Sequence, residues 1–266
     1  MEVLHERCAA LDISKGDVKA CVRVPNPRRR GTRTQQVKTF ASMTNALLAL
    51  RDWLLHEQVS VVSMEATGDY WKPVYYLLEG AGFELMLVNA RDAKGLPGRK
   101  SDVSDSIWLC QLTECGLLRS SMVPPEPIRR LRDLTRYRTV TIRERSREAQ
   151  RLEKVLEAAC VKLSLVASDI LGVSGRLMLR ALVEGERDPE TLAGLAKASL
   201  RNKHDALVES LTGRFDDHHA FLCQIILRRI DELTAVIEEV TGRIDTELEP
   251  FHDAIEHLLT IPGVER

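Results

Sequence analysis

The sequence changes character at a proline-rich segment, "SSMVPPEP", at residues 120–127. Before this segment, short β-branched or alternating runs are interleaved with helix-like apolar stripes, and after it no strand-like run occurs. Proline fixes φ and donates no backbone hydrogen bond, so three prolines in eight residues end any regular element. The segment therefore predicts a boundary between two domains, and 266 residues are enough for both.

The first 120 residues predict an α/β domain. "CAALDI" and "VKACVRV" flank a turn with Gly16, which is typical of a β-hairpin. Strands are predicted at 8–13, 18–24, 36–40, 59–65 and 83–89, and helices at 42–57, 70–82 and 101–115. A hairpin followed by α/β crossovers predicts a mixed sheet with helices on both faces.

The remainder of the chain predicts an all-α, coiled-coil-like region. An apolar seam runs through it at alternating three- and four-residue spacing: Ile226, Ile230, Leu233, Ile237, Val240, Ile244, Leu248 and Phe251. Such a seam favours two long helices that pair as an antiparallel coiled coil or join a bundle. A helical hairpin within one chain and a homo-oligomer interface are both compatible with it. The predicted divisions are 1–120, a linker at 121–127, a helical domain at 128–258, and 259–266 beyond it.

Composition and cysteine usage exclude several classes of protein. Apolar residues make up 44% and charged residues 29%, the balance of a globular protein. No apolar run reaches about 18 residues and no signal peptide is evident, so we expect a cytoplasmic protein without a membrane partner. The six cysteines form no C-x-x-C pair, which indicates free thiols rather than a disulfide framework or a zinc site.

Charge is unevenly distributed although the net charge is only -1. Residues 126–151 carry nine arginines and four acids, whereas residues 231–256 carry nine acids and one arginine. The arginine-rich segment makes Arg129, Arg130, Arg132 and Arg136 candidates for binding nucleic acid. The alternative is a solvated helix face, which is common in helical proteins.

Four carboxylates stand at informative positions. Asp12 and Glu65 each end a predicted strand, and Asp102 and Asp105 share one face at the start of a predicted helix. Clustered carboxylates with no histidine or cysteine among them suit hard cations, so we expect Mg²⁺ or Mn²⁺. Two such ions about 4 Å apart can stabilise the attacking and leaving oxygens of a phosphodiester. We expect Arg99 and Lys100 to meet the phosphate there.

Each acid also has a purely structural explanation. Asp12 could pair with Lys15, Glu65 could cap the turn that follows it, and Asp102 could interact with a helix dipole. The combined pattern, two strand-end acids followed by D-x-x-D, is more specific than any single acid.

Three segments carry a resemblance to a known family: "ALDISKG", "MEATGDYWKPVYYLLEGAGFELMLVNARDAKGLPGRKSDVSDSIWL" and "GLLRSSMVPPEPIRRLRDLTRYR". The sequence resembles the DEDD transposases of insertion sequences of the one-hundred-and-ten family, with the related Piv invertases. The resemblance implies a RuvC-like, RNase H-type fold for residues 1–120, with the four acids as a Mg²⁺ site. It also implies DNA strand exchange guided by an element-encoded RNA.

In that family a further domain follows "IPG" and carries a serine that is the expected nucleophile, whereas this sequence stops at "IPGVER". We therefore expect a truncated form, and we interpret Ser101 and Ser104 as capping residues. Two other functions remain open. One is a nuclease of the Holliday-junction-resolvase type, and the other is an inactive nucleic-acid-binding remnant.

Overall fold

The computed structural model describes residues 2–66, 68–89 and 105–264. The chain divides into two compact units, Met1–Val123 and Pro124–Arg266. Each unit has its own hydrophobic core.

The first unit is built on a six-stranded mixed sheet in the order β3-β2-β1-β4-β5-β6. The β1–β4 and β4–β5 pairs are parallel, and the other pairs are antiparallel. This confirms the predicted hairpin and the mixed sheet. The elements are β1 Cys8–Ile13, β2 Asp17–Pro25, β3 Arg33–Ala41, α1 Thr44–His56, β4 Val61–Glu65, α2 Trp71–Leu78, β5 Glu84–Val88, α3 Asp105–Glu114 and β6 Ser120–Ser121.

Helices cover both faces of the sheet, as the sequence predicts. Side chains alternate along β1, so Leu11 packs in one core with the buried residues of α1 and α2. Cys8 and Ala10 point to the other face, where they pack against Leu109 and Cys110 of α3. Asp12 continues the Cys8–Ala10 face and therefore lies on the side of the sheet that α3 covers.

A tight turn between β1 and β2 fixes the register of the hairpin. The Ser14 hydroxyl accepts hydrogen bonds from the backbone N–H groups of Gly16 and Asp17 at 3.1 and 3.0 Å. It also donates to the Asp17 carboxylate at 2.5 Å. The resulting register places Asp12 directly opposite Lys19.

The second unit is helical throughout its described residues. Its elements are α4 Glu126–Ala158, α5 Val173–Val183, α6 Pro189–Ala193, α7 His204–Leu211, α8 Asp217–Leu248 and α9 His252–Leu259, with 3₁₀ turns at Leu163–Leu165, Ala198–Lys203 and Glu249–Phe251. Asp216 caps α8 by accepting a hydrogen bond from the His219 backbone N–H at 3.1 Å.

The long helices α4 and α8 pair in antiparallel orientation. Arg138, in the first half of α4, donates to the Thr241 hydroxyl, in the second half of α8, at 2.8 Å. Leu152 and Leu156, near the end of α4, share a core with Ala220 at the start of α8. Much of the apolar seam is buried within this single chain, at Ile226, Ile230, Leu233, Ile237 and Ile244. The intrachain helical hairpin thus accounts for most of the seam.

The helix α4 ends earlier than its apolar pattern suggests. An apolar stripe in the sequence, at Leu152, Leu156 and Ala159, continues at helical spacing to Cys160 and Leu163, but Cys160 is exposed and has a φ of 58°. A non-glycine residue in this region ends the helix. Leu163 is still buried, but in a separate 3₁₀ turn.

None of the helices in the described ranges is both long enough and apolar enough to cross a membrane.

Candidate functional site

Asp12 and Glu65 lie side by side at the carboxyl edge of the sheet. The parallel strands β1 and β4 have Leu11 and Met64 as their last paired residues. Asp12 and Glu65 are the next residues in each strand, and neighbouring strands are about 4.8 Å apart. Glu65 shares a face with Ser63, which contacts α3. Both carboxylates are therefore on the α3 side.

Asp105, the first residue of α3, is near these two acids. Burial raises the pKa of Asp12 above its usual range, and the negative charges of Asp105 and Glu65 raise it further. Asp12 therefore has two of the other predicted acids as neighbours that act on it, Glu65 from the adjacent strand and Asp105 from the start of α3.

The other residues predicted for this site lie outside the described residues. They are Asp102, Arg99 and Lys100, all within the segment 90–104. Within the described ranges, no group of three or more histidine, cysteine, aspartate or glutamate side chains is arranged to hold a metal ion. The three described acids therefore do not form a metal site by themselves.

Lys19 is a neighbour of the acids that the sequence interpretation missed. It faces Asp12 across the β1–β2 pair, and its positive charge lowers the pKa of Asp12 against the effects of burial and of Asp105. The sequence alternative paired Asp12 with Lys15. The hairpin pattern predicts Lys19 rather than Lys15 as the neighbour of Asp12, because a tight turn at Ser14–Gly16 places residue 19 opposite residue 12.

This edge has the chemistry of a site for a hard cation. Its side chains offer carboxylate oxygens, which are the preferred ligands of Mg²⁺ and Mn²⁺. Mg²⁺ usually keeps several waters and takes only one or two protein carboxylates, so it needs fewer ligands than the three acids named here. The mutual repulsion that raises the pKa of Asp12 would decrease when a cation binds.

A second candidate surface lies on α4. Arg132, Arg136, Arg143 and Arg147 are all exposed and follow each other at spacings of four, seven and four residues. At 3.6 residues per turn, this spacing places them on one side of the helix. The buried residues Leu131, Thr141, Leu152 and Leu156 lie on the opposite side. We call these four arginines the arginine stripe.

The structure separates the four arginines predicted from the sequence into two pairs. Arg132 and Arg136 belong to the arginine stripe, which makes no ion pair within the described part of the chain. Arg130 instead pairs with Glu126 at 2.5 Å, and Arg129 donates to the Pro124 carbonyl oxygen at 2.9 Å. Arg143 and Arg147 were not singled out in the sequence, although their helical spacing would have identified them.

The fold and the acidic edge define an α/β protein whose central strands end in a candidate cation site. The model of the DEDD_Tnp_IS110 family, described as a transposase, matches residues 9–161, more than half of the chain. The match extends from β1 through α4, so it includes the three described acids and the arginine stripe. The chain therefore belongs to this family, the DEDD transposases of insertion sequences. No curated protein matches the chain.

Proposed function

We propose that this transposase-family chain acts on DNA through metal-dependent phosphodiester chemistry at Asp12, Glu65 and Asp105, with Asp102 as the fourth acid. The observation that carries the proposal is the meeting of acids from β1, β4 and α3 at one edge of the sheet. The expected cation is Mg²⁺ or Mn²⁺.

The chemistry of the carboxylate side chains supports such a cation, although the described residues alone do not form a complete metal-holding group. Asp12 and Glu65, on adjacent parallel strands, would hold it, and Asp105 would approach from α3. When bound, the ion would stabilise the charge that develops on the phosphoryl oxygens. Lys19 offsets part of the negative charge at Asp12 and so reduces repulsion of an approaching phosphate.

The arginine stripe on α4 is the proposed contact for the nucleic-acid backbone. Its guanidinium groups are exposed and make no ion pair with the part of the chain that the structure describes, so they can bind phosphate oxygens without first breaking such a pair. Family membership supports DNA as one partner and an element-encoded guide RNA as another. Self-association of the helical unit is also part of the proposal, through a surface other than the buried part of the seam.

The experiment is an assay on DNA of the element's ends, with guide RNA, in which Mg²⁺ or EDTA is present. We expect cleaved or joined strands only with the metal, and their loss in Asp12→Asn. The matched control is Asp52→Asn, because Asp52 is an exposed acid on α1, at the other face of the sheet. Asp52→Asn should keep the activity.

The products also distinguish the competing functions. Nicked strands without joining would indicate a nuclease of the junction-resolvase type. Metal-independent binding with no strand cleavage would indicate a nucleic-acid-binding remnant. Activity that persists in Asp12→Asn would contradict the proposed site.

A further inference from the structure

The helix α3 runs antiparallel to β1 and β4, and its end with Asp105 lies over the acidic edge. At the other end of α3, the carbonyl oxygen of Glu114 accepts hydrogen bonds from the backbone N–H groups of Leu4 and His5 at 2.8 and 3.0 Å. Leu4 and His5 precede β1, whereas Asp105 acts on Asp12 near the end of β1. The position of Asp105 therefore depends on how the rest of α3 is held on the sheet.

A pair of buried hydroxyl groups joins α3 to β4. The oxygens of Ser63 and Thr113 are 2.5 Å apart, and these residues are 0% and 1% exposed. The Thr113 hydroxyl also donates to the Leu109 carbonyl oxygen at 2.8 Å. The Ser63 hydroxyl has a carbonyl acceptor of its own, Ala9, at 3.4 Å, so either hydroxyl can be the donor in the Ser63–Thr113 bond. The pair is thus a buried side-chain hydrogen bond between β4 and α3.

The two partners of this hydrogen bond are linked to the acids by short rigid segments. Ser63 precedes Glu65 by two residues on the same strand face. Thr113 lies eight residues after Asp105, about 12 Å along the helix axis, and within roughly 80° of it around the helix. One hydrogen bond therefore relates the acid of β4 to the acid of α3.

An ionic contact holds the last residue of α3. The Glu114 carboxylate is 6% exposed and binds the guanidinium groups of Arg23 and Arg33 at 2.9 and 2.5 Å. These arginines come from β2 and β3, so they anchor the helix end without reaching β4. The Ser63–Thr113 bond, by contrast, is a polar side-chain contact of α3 with β4.

We propose that Ser63 and Thr113 are positioning residues that set the register of α3 on the sheet and so place Asp105 beside Asp12 and Glu65. The apolar contacts of Leu109 are non-directional, so the register of α3 depends on its polar contacts: Glu114 holds its end on β2 and β3, and the Ser63–Thr113 bond holds it on β4. A slide by one residue moves Asp105 by about 1.5 Å and turns it by about 100°. Metal ligation tolerates only about 0.2 Å, so such a change is decisive for a cation site.

The test substitution is Thr113→Val, which keeps the shape of the side chain and removes its hydroxyl. Thr113→Ser restores the hydroxyl and is the rescue variant. Thr141→Val is the matched control, because Thr141 is 4% exposed and donates to its own i−4 carbonyl at 2.9 Å, but lies in the helical unit. Ser63→Ala removes the other partner and serves if Thr113→Val does not fold.

Two measurements are made on the full chain. Crystal structures of the metal-free wild type and Thr113→Val give the position of Asp105 relative to β1 and β4. Electron paramagnetic resonance gives the dissociation constant for Mn²⁺. In Thr113→Val we expect Asp105 to be displaced and the Mn²⁺ affinity to fall about tenfold. Loss of a hydrogen bond that supports a metal ligand typically lowers metal affinity by about 10- to 100-fold, and we expect the lower value. Thr113→Ser and Thr141→Val should match the wild type in both measurements.

The Mn²⁺ measurement rests on the proposed function, whereas the structural comparison does not. If the wild type itself binds no Mn²⁺, the proposed function fails, and displacement of Asp105 alone decides the role of Thr113. An undisplaced Asp105 in both Thr113→Val and Ser63→Ala would overturn the inference. The inference would also be overturned if Thr141→Val lost as much Mn²⁺ affinity as Thr113→Val.

Discussion

The arginine stripe on α4 allows a quantitative prediction about salt dependence. We compare two double substitutions, Arg143→Gln with Arg147→Gln and Arg129→Gln with Arg130→Gln. Each removes two positive charges from the same helix, so the net charge of the two variants is equal. The structure distinguishes them, because the first pair belongs to the arginine stripe and the second makes contacts within the chain.

The expected magnitude follows from counterion release. Each phosphate contact on duplex DNA contributes about 0.9 to the slope of log K against log salt concentration. Four contacts from the arginine stripe give a slope of about −3.6, or roughly a 150-fold loss of affinity between 50 and 200 mM salt. Removing Arg143 and Arg147 should reduce this loss to roughly 12-fold. Removing Arg129 and Arg130 should change the slope by less than half of the change caused by removing Arg143 and Arg147.

The assay is fluorescence anisotropy of a labelled duplex, titrated with each variant at several KCl concentrations. Circular dichroism of both variants checks that the helix remains folded. Equal reductions of the slope by the two pairs would mean that only net charge matters, and the arginine stripe would then be an ordinary solvated face. An unchanged slope in both variants would remove α4 from the nucleic-acid surface.

Three further predictions concern stability. Glu114→Gln should lower the free energy of unfolding by about 3 kcal/mol, measured by urea denaturation, because it leaves two poorly exposed guanidinium groups without a carboxylate. Without metal, stability should fall as pH rises through the raised pKa of Asp12, since the folded state holds that proton more tightly than the unfolded state. Asp12→Asn should therefore be more stable than the wild type at pH 7 in EDTA, with a flatter pH profile; a steeper profile would contradict this. Ile230→Ala, at a position 1% exposed between the long helices, should cost about 2–5 kcal/mol in thermal denaturation, and a neutral effect would argue against the helical hairpin.

The fold class could be predicted from the sequence because the apolar residues of the predicted strands and helices are the ones that are buried in the structure. The run "CAALDI" predicted β1 at 8–13, which is where the strand lies. The third strand was predicted too short, because the polar residues at Arg33–Gln35 give no apolar alternation, yet they pair with β2 across the whole edge. The two-residue strand β6 has no pattern of its own and exists only through pairing with β5.

The site was predictable to the extent that it depends on strand ends. Asp12 and Glu65 follow from local patterns, since parallel neighbours end at the same edge. The contacts that hold α3 were not predictable in this way. The Ser63–Thr113 bond spans 50 residues and the Arg23–Glu114 bond spans 91, and no local periodicity encodes such a pairing. The sequence offered one indication of these contacts: Glu114 is an acid in a largely apolar helix, and a buried acid needs a positively charged partner.

The most direct test of the central claim is Mn²⁺ binding by the wild type, Asp12→Asn and Asp52→Asn, measured by electron paramagnetic resonance near pH 7. We expect saturable binding by the wild type, at least tenfold weaker binding by Asp12→Asn, and unchanged binding by Asp52→Asn. Absence of binding by the wild type, or equal affinity in Asp12→Asn, would contradict the claim that the acids at the carboxyl edge of the sheet hold a divalent cation.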